Sequence, residues 1–420
     1  MAAVTALSLA LTGCSNAQVR ASAGGSGAPG VTPDSIIVGS LANITGPLSS
    51  DFAPVVNGVQ AYFAMINSQG GVDGRRLMLG YQEDDQGSGS TDLALAQKLV
   101  EQDHVFAVVG VGTPFFAGAQ YLAHEGVPTF GYQVSADWQD GPTLFASYGS
   151  VLDYTTSDPE YAYLARQLHS QSVGVVSYGV PQSAAACQAA ATGMRGFGLN
   201  VSYTDFDFPF GSDPTIDVLQ LKAHHVDLLL TCLDVTGNVA FARAISQNGL
   251  TMHQLWLSGY DRSTLQQYGA LMNGVYFMLD HVPFEAVTAF PGKYPGIEKY
   301  IRTMQRYEPS FTYDEVALAG WVSADQFVTG LKAVGRNLTQ RKLVAAINKE
   351  TAFTGDGVTT PINWTVSHTQ ALPPYCATYV VTENSKFVPA FVEPNNEVFV
   401  CFNAKDSDVP TAPPLGTPGM

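Results

Sequence analysis

Gly110-Val111-Gly112-Thr113-Pro114 ends a buried β-branched run and opens a helical one. At such a turn the free backbone N–H groups and the Thr113 hydroxyl face whatever lies beyond the strand, which suits a carboxylate. The stretch fails as a dinucleotide fingerprint, because Phe115 stands where the third glycine is needed. Two later turns have the same strand-to-helix character: Tyr178-Gly179-Val180-Pro181-Gln182 and Leu233-Asp234-Val235-Thr236. Asp234 can pair with a ligand ammonium or cap the helix that follows it, and the two roles weigh equally. Glu83-Asp84-Asp85 could hold a cation but reads better as contacts to caps and solvent. Hydrolytic chemistry finds no support. There is no G-x-S-x-G or H-E-x-x-H, and His224-His225 has no cysteine or carboxylate cluster at ligand spacing. The chain therefore reads as a binder, with no catalytic residues, no metal and no cofactor expected.

The cysteines carry different chemistry. Leu11-Thr12-Gly13-Cys14 ends an apolar run that begins at Ala2, too short to span a bilayer but suited to the h-region of a secretory signal. These four residues resemble the bacterial lipobox, in which the cysteine thiol is diacylated after cleavage. No Lys or Arg precedes the run, so the start codon may be internal. Residues 15–33, with Ala21-Ser22-Ala23-Gly24-Gly25-Ser26-Gly27 among them, have the composition of a flexible tether. Four cysteines remain outside the leader: Cys187, Cys232, Cys376 and Cys401. In an oxidising space an even set invites two disulfides, and no C-x-x-C favours metal. A helix after one strand lies beside the end of the next, which predicts Cys187 with Cys232 and leaves Cys376 with Cys401.

The elements that must position these turns alternate regularly. Strand-like runs at Ser35–Leu41, Leu77–Tyr81, Val105–Val111 and Val127–Tyr132 are separated by helical faces at Val55–Ile66, Leu93–Val100 and Phe115–Glu125. The pattern restarts at Val173–Ser177, Val201–Phe206, Val226–Leu233 and Leu255–Leu257, with helices at Gln182–Arg195, Pro214–Ala223 and Thr236–Asn248. Alternation of this kind requires parallel strands and crossover helices. Strand Val275–Leu279, helices Gly296–Tyr307 and Asp314–Val334, and a late hairpin at Cys376–Val381 and Phe387–Val392 then return to complete both halves. With 46% hydrophobic residues, roughly 390 residues beyond the leader suffice for two domains. A formal net charge of −16 excludes nucleic acid and anionic lipid surfaces as partners. The proline-bearing stretch 406–420 reads as a disordered tail.

Ile44-Thr45-Gly46-Pro47-Leu48-Ser49, Gly58-Val59-Gln60-Ala61-Tyr62, Gly70-Gly71-Val72-Asp73-Gly74-Arg75, Glu83-Asp84-Asp85 and Phe241-Ala242-Arg243-Ala244 occur in an order that resembles leucine/isoleucine/valine-binding proteins. These are type I periplasmic solute-binding proteins of ABC transporters. The resemblance implies an α/β chain of two Rossmann-like lobes with parallel sheets, joined by a three-strand hinge, with ligand in the cleft. It implies lobe 1 as 34–152 plus 284–356 and lobe 2 as 153–283 plus 357–405. It also implies that Gly112 and Thr113, with Tyr132, Gln133 and Ser135, face the ligand from lobe 1. Gln182, Asp234, Tyr260 and Asp261 would face it from lobe 2. The family's ammonium-binding carboxylate falls at Tyr260, with Asp261 one residue late, which weakens the case for an α-amino acid. The expected function is that of a monomeric, extracytoplasmic lipoprotein delivering a small carboxylate-bearing ligand, such as a branched-chain amino acid, to an ABC permease. A ligand-sensing receptor of the same fold, or a binder of aromatic acids or amides, is the alternative.

Overall fold

The computed structural model describes residues 27–152, 159–372 and 374–402. Cys14, the leader, most of the tether and the tail lie outside them. The first half runs β1 (Ser35–Ala42), α1 (Ser49–Phe52), α2 (Pro54–Ser68), β2 (Arg76–Asp84), α3 (Gly89–Glu101), β3 (Val108–Gly112), α4 (Ala119–His124), β4 (Thr129–Gly131) and β5 (Leu144–Ala146). Its five strands form one parallel sheet in the order β2-β1-β3-β4-β5.

The next segment repeats the plan. It runs α5 (Pro159–Gln167), β6 (Val173–Tyr178), α6 (Pro181–Gly196), β7 (Val201–Phe208), α7 (Thr215–Ala223), β8 (Leu228–Cys232), α8 (Val235–Gln247), β9 (His253–Trp256), α9 (Arg262–Tyr268) and β10 (Val275–Leu279). The parallel order β7-β6-β8-β9-β10 reproduces that of the first sheet. The chain then returns to the first sheet through α10 (Ala286–Ala289), α11 (Pro295–Tyr307), α12 (Glu315–Val334) and α13 (Gln340–Ile347). Strands β11 (Tyr375–Glu383) and β12 (Lys386–Ala390) extend the second sheet antiparallel beyond β10, and β13 (Val400–Phe402) pairs with β11. The late helices thus complete one lobe and the late hairpin the other. Cys187 is bonded to Cys232, and Cys376 to Cys401 across the β11–β13 register.

The chain passes between the sheets three times, and the crossings meet. His281 bridges to Thr359, Thr378 donates to the His281 carbonyl at 2.7 Å, and the Tyr148 ring stacks 6.0 Å from the His281 ring. Ser147 anchors the first crossing, its hydroxyl 2.8 Å from the Gly131 carbonyl and 2.9 Å from that of Ala319 in α12. Helix α12 lies against α2 at backbone contact. A Cβ on Gly58 would sit 1.8 Å from the Ala317 carbonyl oxygen, and one on Gly320 would sit 1.9 Å from that of Val55. Only glycine at both positions allows this approach, and it fixes where the start of α12 points.

Seven of these elements escape sequence patterning. β5 and β13 have three residues each and α1 and α10 four, too few for a period, while α5, α9 and α13, of nine, seven and eight residues, are short.

Candidate functional site

In each sheet the strand order reverses beside the first strand, β1 or β6, so helices leave opposite faces there and a crevice opens at the strand ends. The two crevices face each other, and side chains cross between them. Gln182, at the start of α6, donates through Nε2 to the Pro114 carbonyl after β3 at 3.0 Å. Ser258, after β9, donates to Asp51 Oδ1 in α1 at 2.9 Å. A cavity of about 420 Å³ lies at the first contact, lined by Gly87, Gly89, Phe115, Ala117, Asp137 and Gln182.

The residues expected to face a ligand divide into two groups. Thr113 is buried near the Asp85 carboxylate and accepts from the Phe115 amide at 3.3 Å. Ser135 is buried too and donates to Asp137 at 2.8 Å. Gly112 packs on α2, where a Cβ would lie 2.7 Å from Val55. Asp234 is the N-cap of α8, accepting from the Gly237 amide at 2.9 Å and from Tyr178 Oη at 2.6 Å. Asp261 caps α9 in the same way, accepting from the amides of Ser263 at 3.1 Å and Thr264 at 2.8 Å. Tyr260 is wholly buried against Phe284 and Phe387, donating to Glu285 and accepting from the Phe284 amide at 2.9 Å. These six are committed within the protein. Tyr132, Gln133 and Gln182 remain, and Gln133 Nε2 is buried without a partner.

What gathers around Tyr132 was not legible in the sequence. Asp51, Asp280, Asp314 and Glu315 all lie within its electrostatic reach, and Tyr148 stands beside it. Asp280 ends β10 at the second crossing and keeps open surface, yet protein surrounds it so closely that its carboxyl is pushed up to about 6. Asp51 is likewise pushed up to about 6 by burial, against the Ser258 hydrogen bond. Asp314, N-cap of α12, accepts from the Ala317 amide at 2.7 Å, and burial raises it to about 8. Burial pushes Glu315 well above the ordinary carboxylate range, helped by Asp314, Asp51, Asp261 and Asp280. Asp314 and Glu315 look in sequence like an ordinary helix start. Only the α2–α12 contact aims them at the cleft.

Below Thr113 lies a second acidic feature. Asp85 and Asp92 are fully buried near each other, and burial raises Asp92 to about 8. Asp85 accepts from the Gly87 amide at 2.8 Å, and Asp92 from that of Gly118 at 2.6 Å. Asp84 ties down the loop after β1, accepting from the amides of Ile44 at 3.0 Å and Thr45 at 3.1 Å, and Glu83 pairs with Lys98. The acidic run therefore serves caps and packing. No cluster of described residues is arranged to hold a metal ion.

A family model described as periplasmic binding protein matches residues 35–385. The chain belongs to the periplasmic binding protein family. No curated protein matches the sequence. Among solved structures, a fatty acid ABC transporter substrate-binding protein from Thermomonospora curvata superposes with a TM-score of 0.72 at 19% identity, covering 90% of this chain and 95% of its own. The branched-chain amino acid binding protein LivJ from Streptococcus pneumoniae, in complex with isoleucine, gives 0.68 at 16%, covering 85% and 100%. An ABC transporter solute binding protein from R. palustris in complex with benzoate gives 0.68 at 15%, covering 85% and 95%. The fold is that of the type I periplasmic binding proteins, and the family is one of binding proteins, not enzymes. No helix among the described residues is long and apolar enough to cross a membrane.

Proposed function

We propose that this protein captures a small solute between lobes 34–152 plus 284–356 and 153–283 plus 357–405, and hands it to an ABC permease while tethered through a lipid on Cys14. The carrying observation is the pair of contacts across the cleft, Gln182 to Pro114 and Ser258 to Asp51. Neither can form unless the two crevices approach, so closure and ligand enclosure are one event, and a ligand touching both lobes shifts the open–closed population.

A hydrophobic amino acid is the ligand class the family resemblance suggests. Its apolar body fits against Tyr132 and Tyr148, and its ammonium fits the carboxylates beside them. Thr113 and Ser135, the hydroxyls intended for its carboxylate, are both buried, the first accepting from the Phe115 amide and the second bonded to Asp137.

Thermal denaturation with branched-chain amino acids, aromatic acids, amides and amines tests the capture. A ligand at ~100 times its Kd adds about 2.7 kcal/mol of stability. No stabilisation by any solute, and no compaction in small-angle scattering, would refute it. Cys14→Ser should move the protein from the membrane to the soluble fraction; a variant that stays with membranes would refute the anchor.

A further inference from the structure

Asp280, which keeps open surface, and Glu315, half-buried, are two carboxylates crowded by protein, with no hydrogen bond or ion pair to any described group. Asp280 directly follows β10 and Glu315 lies in the first turn of α12, so the two reach the cleft from different lobes. Crowding by protein disfavours their charge, and no partner in the fold compensates for it.

A separate observation concerns the walls. Tyr148 Oη is buried without a hydrogen-bond partner, and it lies within reach of Tyr132, Glu315 and Asp280. The Nε2 of His281, whose ring stacks on Tyr148, is also buried and unpartnered, and the residue is 2% exposed. His281 Nδ1 sits 2.9 Å from the Val282 carbonyl, which makes it the protonated nitrogen and leaves Nε2 an acceptor. Burial holds this histidine down at about 4, so it brings no positive charge at neutral pH. Arg262 is bound to Glu285 at 2.9 Å and packs 4.3 Å from the Tyr313 ring centre, and no cation is among the charges that act on Glu315 or Asp280.

Unsatisfied acceptors, two aromatic faces and uncompensated acid describe a receptacle for a positively charged group with N–H donors. We propose that the ligand is a protonated organic amine, its ammonium seated between Asp280 and Glu315 against Tyr132 and Tyr148, and that it needs no carboxylate. This rests on the capture reading above and sharpens it. An anion would meet four carboxylates on entering. A cation supplies the charge whose absence leaves Asp280 and Glu315 unpaired. Because those two residues come from opposite lobes, the amine also gives closure its driving contact.

The test separates the ends of one molecule. Calorimetry compares 3-methylbutylamine, leucine and 4-methylpentanoate, then tyramine, tyrosine and 3-(4-hydroxyphenyl)propanoate, with putrescine as a further amine. The amine of at least one series should bind at least tenfold tighter than its amino acid, with no heat from the deaminated acid. Glu315→Gln and Asp280→Asn should each weaken the amine at least tenfold. Neither side chain bonds to another part of the fold, so both variants should stay folded, and Glu315→Asp should recover part of the affinity. A deaminated acid binding as well as its amine, or unchanged amine affinity in both neutral variants, overturns the proposal. So does an amine panel that is silent while another solute stabilises the protein, and in that case the capture reading stands. Silence of every solute in both screens defeats the two together.

Discussion

The Gln182 side-chain amide and the Pro114 carbonyl lie 3.0 Å apart and belong to different lobes. One hydrogen bond of this kind contributes a net ~0.5–1.5 kcal/mol. Gln182→Ala should therefore lower the closed population, weaken a bound solute by about 2- to 10-fold, and enlarge the radius of gyration in solution scattering. An unchanged radius and affinity would mean that this contact does not report closure.

Closure should depend on pH through Asp51. Solvated in an open cleft, it has an ordinary carboxyl near 3.8; in the closed arrangement burial raises it to about 6. The closed state binds the proton more tightly, so Asp51 favours closure fully below 3.8 and loses that contribution as pH rises through 6. Asp280, also raised to about 6, acts in the same direction. Ligand-free protein should be more compact at pH 5 than at pH 8, and Asp51→Asn should flatten the difference. Greater compaction at pH 8 would contradict the assignment.

Asp92 sets a second pH dependence, of the whole fold. Its carboxyl is raised to about 8, so its stabilising contribution is present at acid pH and is lost as pH rises through 8. An asparagine side chain can still accept from the Gly118 amide. Asp92→Asn should leave the melting temperature unchanged at pH 5 and raise it at pH 9. A loss of stability at pH 9 would show that the carboxylate is needed charged.

The glycine contact between α2 and α12 should be intolerant. Gly320→Ala puts a methyl group 1.9 Å from a backbone carbonyl oxygen, and the helices must separate. Overpacking of this kind costs about 1–3 kcal/mol. It should also displace Glu315 and reduce solute binding beyond what the stability loss explains. A variant with normal stability and binding would remove α12 positioning from the account.

The cystines should stabilise the second lobe independently. They close loops with sequence separations of 45 and 25 residues, each worth ~3–4 kcal/mol by loop entropy. Non-reducing peptide mapping should recover Cys187 with Cys232 and Cys376 with Cys401, and reduction should lower the melting temperature. Crossed pairs or free thiols would refute the pairing.

Much of the architecture is local information and could be read from the chain. Buried β-branched runs such as Ser35–Leu41 and helical faces such as Pro214–Ala223 declare themselves because periodicity follows from the backbone repeat. Parallel alternation fixes that the turns at strand ends face a common crevice, so Gly112, Thr113, Gln182 and Asp234 were locatable there. Sequence could not decide whether Asp234 caps or binds. That depends on Tyr178 Oη and the Gly237 amide meeting the same carboxylate. It could not show that Tyr260 turns into the hinge core, since its contacts are with Phe284 and Phe387. Nor could it single out Asp51, Asp280 and Glu315, which stand far apart in the chain and carry no motif. Their meaning lies in being close together, with Asp51 held by Ser258 and the other two unpaired, and burial and distance between remote residues are properties that only tertiary packing creates.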